Sequence, residues 1–194
     1  MKKSLLLSAL AAVGLMSAPS IITRAKTRDV AFPYRMGAGF AGDINRTHPF
    51  DVVPGLMNAT NPATRYGNAL LVDGATSSYR TPLVGDVAVT TIHGILVRPY
   101  PTQQSSTSQA LGSGVPPTSG IIDVFKAGLI MVNVVGSPLL RGAAFVWAAA
   151  SGGGHIQGGF EAAATGGSTM AITNAYFNGP PDANGIAELR LFDA

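Results

Sequence analysis

"IAELRLF" (residues 186–192) puts Ala187, Leu189 and Leu191 on one face of an extended chain and Glu188 and Arg190 on the other. Apolar residues two apart mark a strand with one buried face. "DANG" (residues 182–185) precedes it. Asn184-Gly185 predicts a hairpin turn there, because both positions tolerate positive φ.

The same pattern recurs toward the N-terminus. Short β-rich runs separated by turn residues predict strands at Leu70–Val72, Val87–Ile92, Gly94–Pro99, Ile121–Phe125, Leu129–Val135, Ala144–Ala149, Ile156–Phe160 and Thr169–Ile172. Before Ala69 the chain is punctuated by Gly, Pro and Asn, so regular strands are expected to begin there. Past residue 36 no stretch joins helical periodicity to caps and adequate length; the alanines of Gly158–Gly167 are too few between their glycines. The expected fold is all-β, a mainly antiparallel barrel or sandwich with an extended N-terminal arm. One β domain should cover residues 36–194. Trp147, the single tryptophan, lies in "AAFVWAAA" and is expected to be largely buried, either in the domain core or at a subunit contact. Pro101–Pro117 is Ser/Gln/Gly-rich and Pro-bounded, which predicts a flexible surface loop.

A chain of 194 residues is long enough to bury a core unaided, and with no cysteine it has neither disulfides nor thiolate chemistry. Its 24 glycines, 13 prolines and 12% charged residues suit a turn-rich β protein and are too apolar for disorder. The net charge of +3 is unevenly placed. Lys2, Lys3, Arg24, Lys26, Arg28 and Arg35 stand against Asp29 in residues 1–35, while the remainder is slightly acidic. The body therefore offers no nucleic-acid surface, and the basic arm points to a partner of its own.

Two readings compete at the N-terminus. "MKKSLLLSALAAVGLMSAPS" (residues 1–20) has the basic start, apolar run and small-residue cluster of an export signal. On that reading the chain is an exported bacterial surface or periplasmic β protein with residues 1–20 removed. Alternatively Leu5–Met16 forms a short docking helix, with Leu6, Leu10, Val13 and Met16 as its apolar stripe. We take the segment as an assembly arm. The other apolar stretches are far shorter than the ~20 residues of a spanning helix, so no membrane role is expected.

Catalytic signals are absent. His48, His93 and His155 show no HxH, HxxxH or HExxH spacing. No G-x-S-x-G elbow exists, and "SGGGHIQGGF" (residues 151–160) lacks the order of a phosphate loop. Asp182, Asn184 and Glu188 faintly suggest calcium, but a hairpin explains them as well. Asn45-Arg46-Thr47 and Asn58-Ala59-Thr60 match the glycosylation tripeptide. The inventory assigns no catalytic residue, no metal site and no cofactor. It describes a structural or binding module.

Four stretches carry a resemblance. They are "FPYRMGAGFAGDINRTHPFDVVPGLMNATNPATRYGNALLVD" (32–73), "IHGILVRPYPT" (92–102), "PPTSGIIDVFKAGLIMVNVVG" (116–136) and "GGFEAAATGGSTMAITNAYFNGPPDANGIAELRL" (158–191). In this order the chain resembles the phage structural cement proteins, which decorate and brace the major capsid shell. The resemblance runs from about Phe32 to the C-terminus, and the residues before it extend beyond the family pattern. It implies a non-enzymatic virion protein on the capsid exterior, assembled in the host cytoplasm. The implied partners are the major capsid protein and neighbouring copies of the chain in a homo-oligomer. Arg24, Lys26, Arg28, Phe32, Tyr34 and Arg35 on the arm are then the expected capsid contacts.

Overall fold

A computed structural model describes residues 39–44, 49–99 and 114–193. The arm, with all six expected capsid contacts from Arg24 to Arg35, lies outside the described residues. So do His48 and most of the expected loop at 101–117.

Nine strands and one 3₁₀ turn make up the described chain: β1 Asp51–Met57, β2 Ala69–Asp73, β3 Ser78–Arg80, the turn Val84–Asp86, β4 Gly94–Leu96, β5 Gly120–Val135, β6 Leu140–Trp147, β7 Phe160–Glu161, β8 Thr169–Asn178 and β9 Ile186–Leu191. The all-β expectation holds. The strands pair into two closed rings that share β5. The first runs β1-β3-β2-β4-β5 and returns to β1; the second runs β5-β7-β6-β8-β9 and returns to β5. Only the short β1–β3 and β5–β7 pairings are parallel.

β5 makes this possible by its length. Its first half pairs with β1 and β4, its second half with β9 and β7. The sequence reading broke it in two at Lys126–Gly128. In fact the strand continues through Gly128, whose φ of 121° and missing Cβ admit Phe50 and Pro49; a Cβ there would lie 2.9 Å from that of Phe50. Lys126, between the two expected strands, aims its ammonium at the His93 carbonyl, 2.7 Å away.

The second ring is filled from every strand. Ile130, Val132 and Val134 of β5 meet Leu189 and Ala187 of β9, Val146 of β6, Phe160 of β7, and Met170, Ile172 and Phe177 of β8. Ile130 lies opposite Leu189 and Val132 opposite Ala187, so the alternation of "IAELRLF" buries Ala187, Leu189 and Leu191 as expected. The first ring encloses a smaller cluster of Met57, Leu70, Leu96, Ile122 and Val124. Its opposite face, Ala69, Leu71, Ile95 and Phe125, joins the larger core. Hence β2 and β4 are apolar on both faces and read as continuous runs.

Several expectations are corrected. Val87–Ile92 is no strand: Thr90 and Ile92 are held by Thr173 and Asn174, where β8 bulges between its pairings with Ala143 and Ala144. In Ile156–Phe160 only Phe160 belongs to a strand. β1 was missed because Pro54-Gly55 reads as a turn. Pro54 is tolerated because, among the described residues, β1 pairs along its length on the β5 side alone. At the β8–β9 turn Gly185 has φ 75° but Asn184 does not share the positive region. Asp182 shapes the turn instead, its Oδ1 accepting from the backbone N–H groups of Asn184 and Ile186 at 2.9 Å each.

Candidate functional site

Among the described residues no group of three or more His, Cys, Asp or Glu could hold a metal ion. The polar constellations are structural. Asn58, from the second glycosylation tripeptide, is buried and donates to Asp73, Thr76 and Ser78. Trp147, expected to be largely buried, is half-buried on the outside of the second ring, because Val146 beside it takes the inward position. Its indole stacks on His155 with centroids 4.0 Å apart. His155 Nδ1 in turn contacts the buried Glu161 carboxylate at 2.8 Å.

The unusual surface is apolar and lies at the two ends of β5. Just past its end, Gly136 turns the chain with φ 91°. Leu139 and Leu140 follow, 77% and 68% exposed. Their outward aim is built into the backbone. Gly142 N–H donates to the Leu139 carbonyl at 2.8 Å, and Arg141 takes a left-handed φ of 60°. Register slips between Leu140 and Gly142, so Arg141 is the extra residue of a β-bulge.

Arg141 links the leucines to an aromatic strip. Its guanidinium lies 5.7 Å from the Tyr176 ring centroid, Tyr176 lies 5.7 Å from Phe192, and Arg190 covers Phe192 at 5.3 Å. Tyr176 and Arg190 are cross-strand partners on the outer face of β8 and β9. Aromatic residues and arginine are enriched at protein–protein contacts.

At the start of β5, Ile121 is 79% exposed and pairs across the ladder with Leu56, 53% exposed. Pro54 and Asp123 form the pair two residues along, on the same face. Beside them lies a cleft of about 210 Å³ lined by Tyr66, Leu96, Val97, Pro99, Pro117 and Ile122. A second cleft, of about 410 Å³, shares Tyr66 and is lined by Phe40, Ala41, Arg98 and Val115. Arg98 lies over both the Phe40 and Tyr66 rings, at 4.7 and 5.9 Å. Burial pushes the Tyr66 phenol pKa up, against the opposing pull of Arg98.

Sequence reasoning did not single out these patches. A signal was present in "SPLLRG" (residues 137–142): two adjacent leucines in a turn cannot both face a core.

A family model described as XM1 gp53 minor capsid protein matches residues 30–191. No curated protein matches the sequence. Among solved structures, a chain from the capsid of the Myoviridae phage XM1 superposes with a TM-score of 0.58 at 19% identity, over 84% of this chain and 95% of that one. At that identity the superposition speaks to the fold, while the family match extends from the end of the arm to the last residue of β9. The expectation of a capsid-associated phage family is met, and a structural role in the capsid implies a non-enzymatic protein. The chain belongs to the XM1 gp53 minor capsid protein family, as a phage virion structural protein associated with the capsid shell.

Proposed function

We propose that the protein binds the outside of the major capsid shell and cements neighbouring capsomers. The observation that carries this reading is the pair of exposed apolar patches at opposite ends of one strand, Leu56 with Ile121 and Leu139 with Leu140. A strand of 16 residues spans at most about 50 Å at ~3.3 Å per residue, so each patch can meet a different subunit. Two modest contacts joined by a rigid strand act together, and many copies on a shell multiply the effect. Arg24, Lys26, Arg28, Phe32, Tyr34 and Arg35 extend the contact along the shell, pairing with acidic groups and strand edges of the capsid protein. The chain assembles onto the capsid in the host cytoplasm, beside copies of itself.

The test is co-sedimentation with capsids that lack the protein. Replacing both Leu139 and Leu140 by Asp should leave the fold unchanged, since both are exposed, and weaken capsid binding at least tenfold. Binding equal to that of the parent chain would remove this surface from the account.

A further inference from the structure

We propose that Arg141 anchors the Leu139–Leu140 patch by holding a carboxylate that edges an apolar depression on the major capsid protein. This rests on the cementing role above and names the chemistry that one end of β5 selects. The backbone gives the first reason. Leu139 to Gly142 form a turn closed by the Gly142 N–H on the Leu139 carbonyl. Gly142 is fixed there, because a Cβ would lie 2.8 Å from that carbonyl. The third residue of the turn is Arg141, with a φ of 60°. Glycine or asparagine ordinarily fills such a position, and arginine adopts it at a cost. Arg141 is exposed and adds nothing to the core, so the fold does not account for its placement.

The donors of Arg141 give the second reason. Among the described residues it makes no hydrogen bond and no ion pair. Its guanidinium lies instead 5.7 Å from the Tyr176 ring centroid. A ring attracts the cation without consuming its N–H groups. The planar fork stays open to a two-point acceptor, for which a carboxylate has the matching geometry. Tyr176 also holds the fork in place beforehand, which lowers the cost of ordering it on contact.

Local charge selects the occupant. Glu188 is half-buried and accepts from Asn178, the cross-strand partner of Leu140. Arg190 adds a second cation to the strip, over Phe192. The patch is therefore cationic and apolar, and its complement is acidic and apolar. A two-fold contact of this face with a second copy would set the same cations against each other.

The test compares the parent chain with Arg141→Asn on closed capsids that lack the protein. One set of shells is native, and in the other the exterior carboxylates are converted to amides. Asparagine suits the positive φ, so the thermal midpoint of the variant should equal or exceed that of the parent. On native shells the variant should bind at least tenfold more weakly. On amidated shells the two should bind within about twofold of each other. Arg141→Lys keeps the charge but not the fork, and should fall between them on native shells. Equal binding of parent and Arg141→Asn on native shells would overturn the proposal. So would a tenfold difference that survives amidation, since the acceptor would then not be a carboxylate. A lowered midpoint for Arg141→Asn would overturn it by removing the strain. A parent oligomer that Arg141→Asn dissociates would assign the strip to a second copy. Each of these outcomes leaves the cementing account standing, whereas a parent chain that binds no shell defeats both.

Discussion

Asn174 holds the backbone of Ile92 from both sides: its Oδ1 accepts the Ile92 N–H at 3.1 Å, and its Nδ2 donates to the Ile92 carbonyl at 3.0 Å. The same Nδ2 reaches the Phe192 carbonyl at 3.1 Å. One buried carboxamide thus ties together the bulge of β8, the end of β9 and the segment entering β4. Asn174→Leu would leave the Ile92 amide buried without its acceptor. The expected loss is about 2–3 kcal/mol in chemical denaturation. A loss under about 0.5 kcal/mol would mean that this segment finds other partners.

The two faces of the second ring should separate cleanly by mutation. Leu189 is fully buried opposite Ile130, whereas Leu139 stands in solvent. Leu189→Ala should cost about 2–5 kcal/mol through lost contacts and a residual cavity. Leu139→Ala should change stability by less than about 0.5 kcal/mol. Comparable losses at the two positions would contradict the assignment of inside and outside.

Gly128 is where β5 passes from one ring to the other. Its φ of 121° is strained for any other residue, and a Cβ would press on Phe50 and the Pro49 carbonyl. Gly128→Ala should destabilise the chain by about 1–3 kcal/mol. Unchanged stability would show that the strand does not need this bend.

Arg80 and Asp86 form a two-point ion pair at 2.6 and 2.9 Å across the 3₁₀ turn. The Arg80 guanidinium is the main cause that holds the Asp86 carboxyl below its ordinary value, with the Leu83 amide adding to it. A carboxylate whose pKa falls on folding contributes stability above its unfolded pKa and loses it as pH drops through the folded one. The advantage of the parent chain over Asp86→Asn should be full above about pH 4 and shrink below it. An advantage that grows on acidification would reverse the sign and refute the pairing.

Much of the fold was readable because one-sided burial leaves a period-2 trace. "IAELRLF" shows it, since Glu188 and Arg190 face outward from the second ring. Where a strand is buried on both faces the trace vanishes, and only β-rich composition located β2 and β4. Where side chains replace ladder bonds, composition misleads. Val87–Ile92 looks like a strand but is secured by Asn174 and Thr173, residues more than 80 positions away. The contact surface was less legible. Ile121 was read as part of a strand but not as an exposed residue, because exposure depends on pairing with Leu56 in a strand that Pro54 concealed.

The central claim is that the protein adds to the outside of a capsid and braces it. Closed capsids assembled without the chain should be mixed with purified protein, and both uptake and the temperature of shell disruption followed. The account predicts saturable uptake by the closed shells and a disruption temperature that rises with occupancy. Uptake only when the protein is present during assembly, or saturable binding that leaves the disruption temperature unchanged, would contradict it.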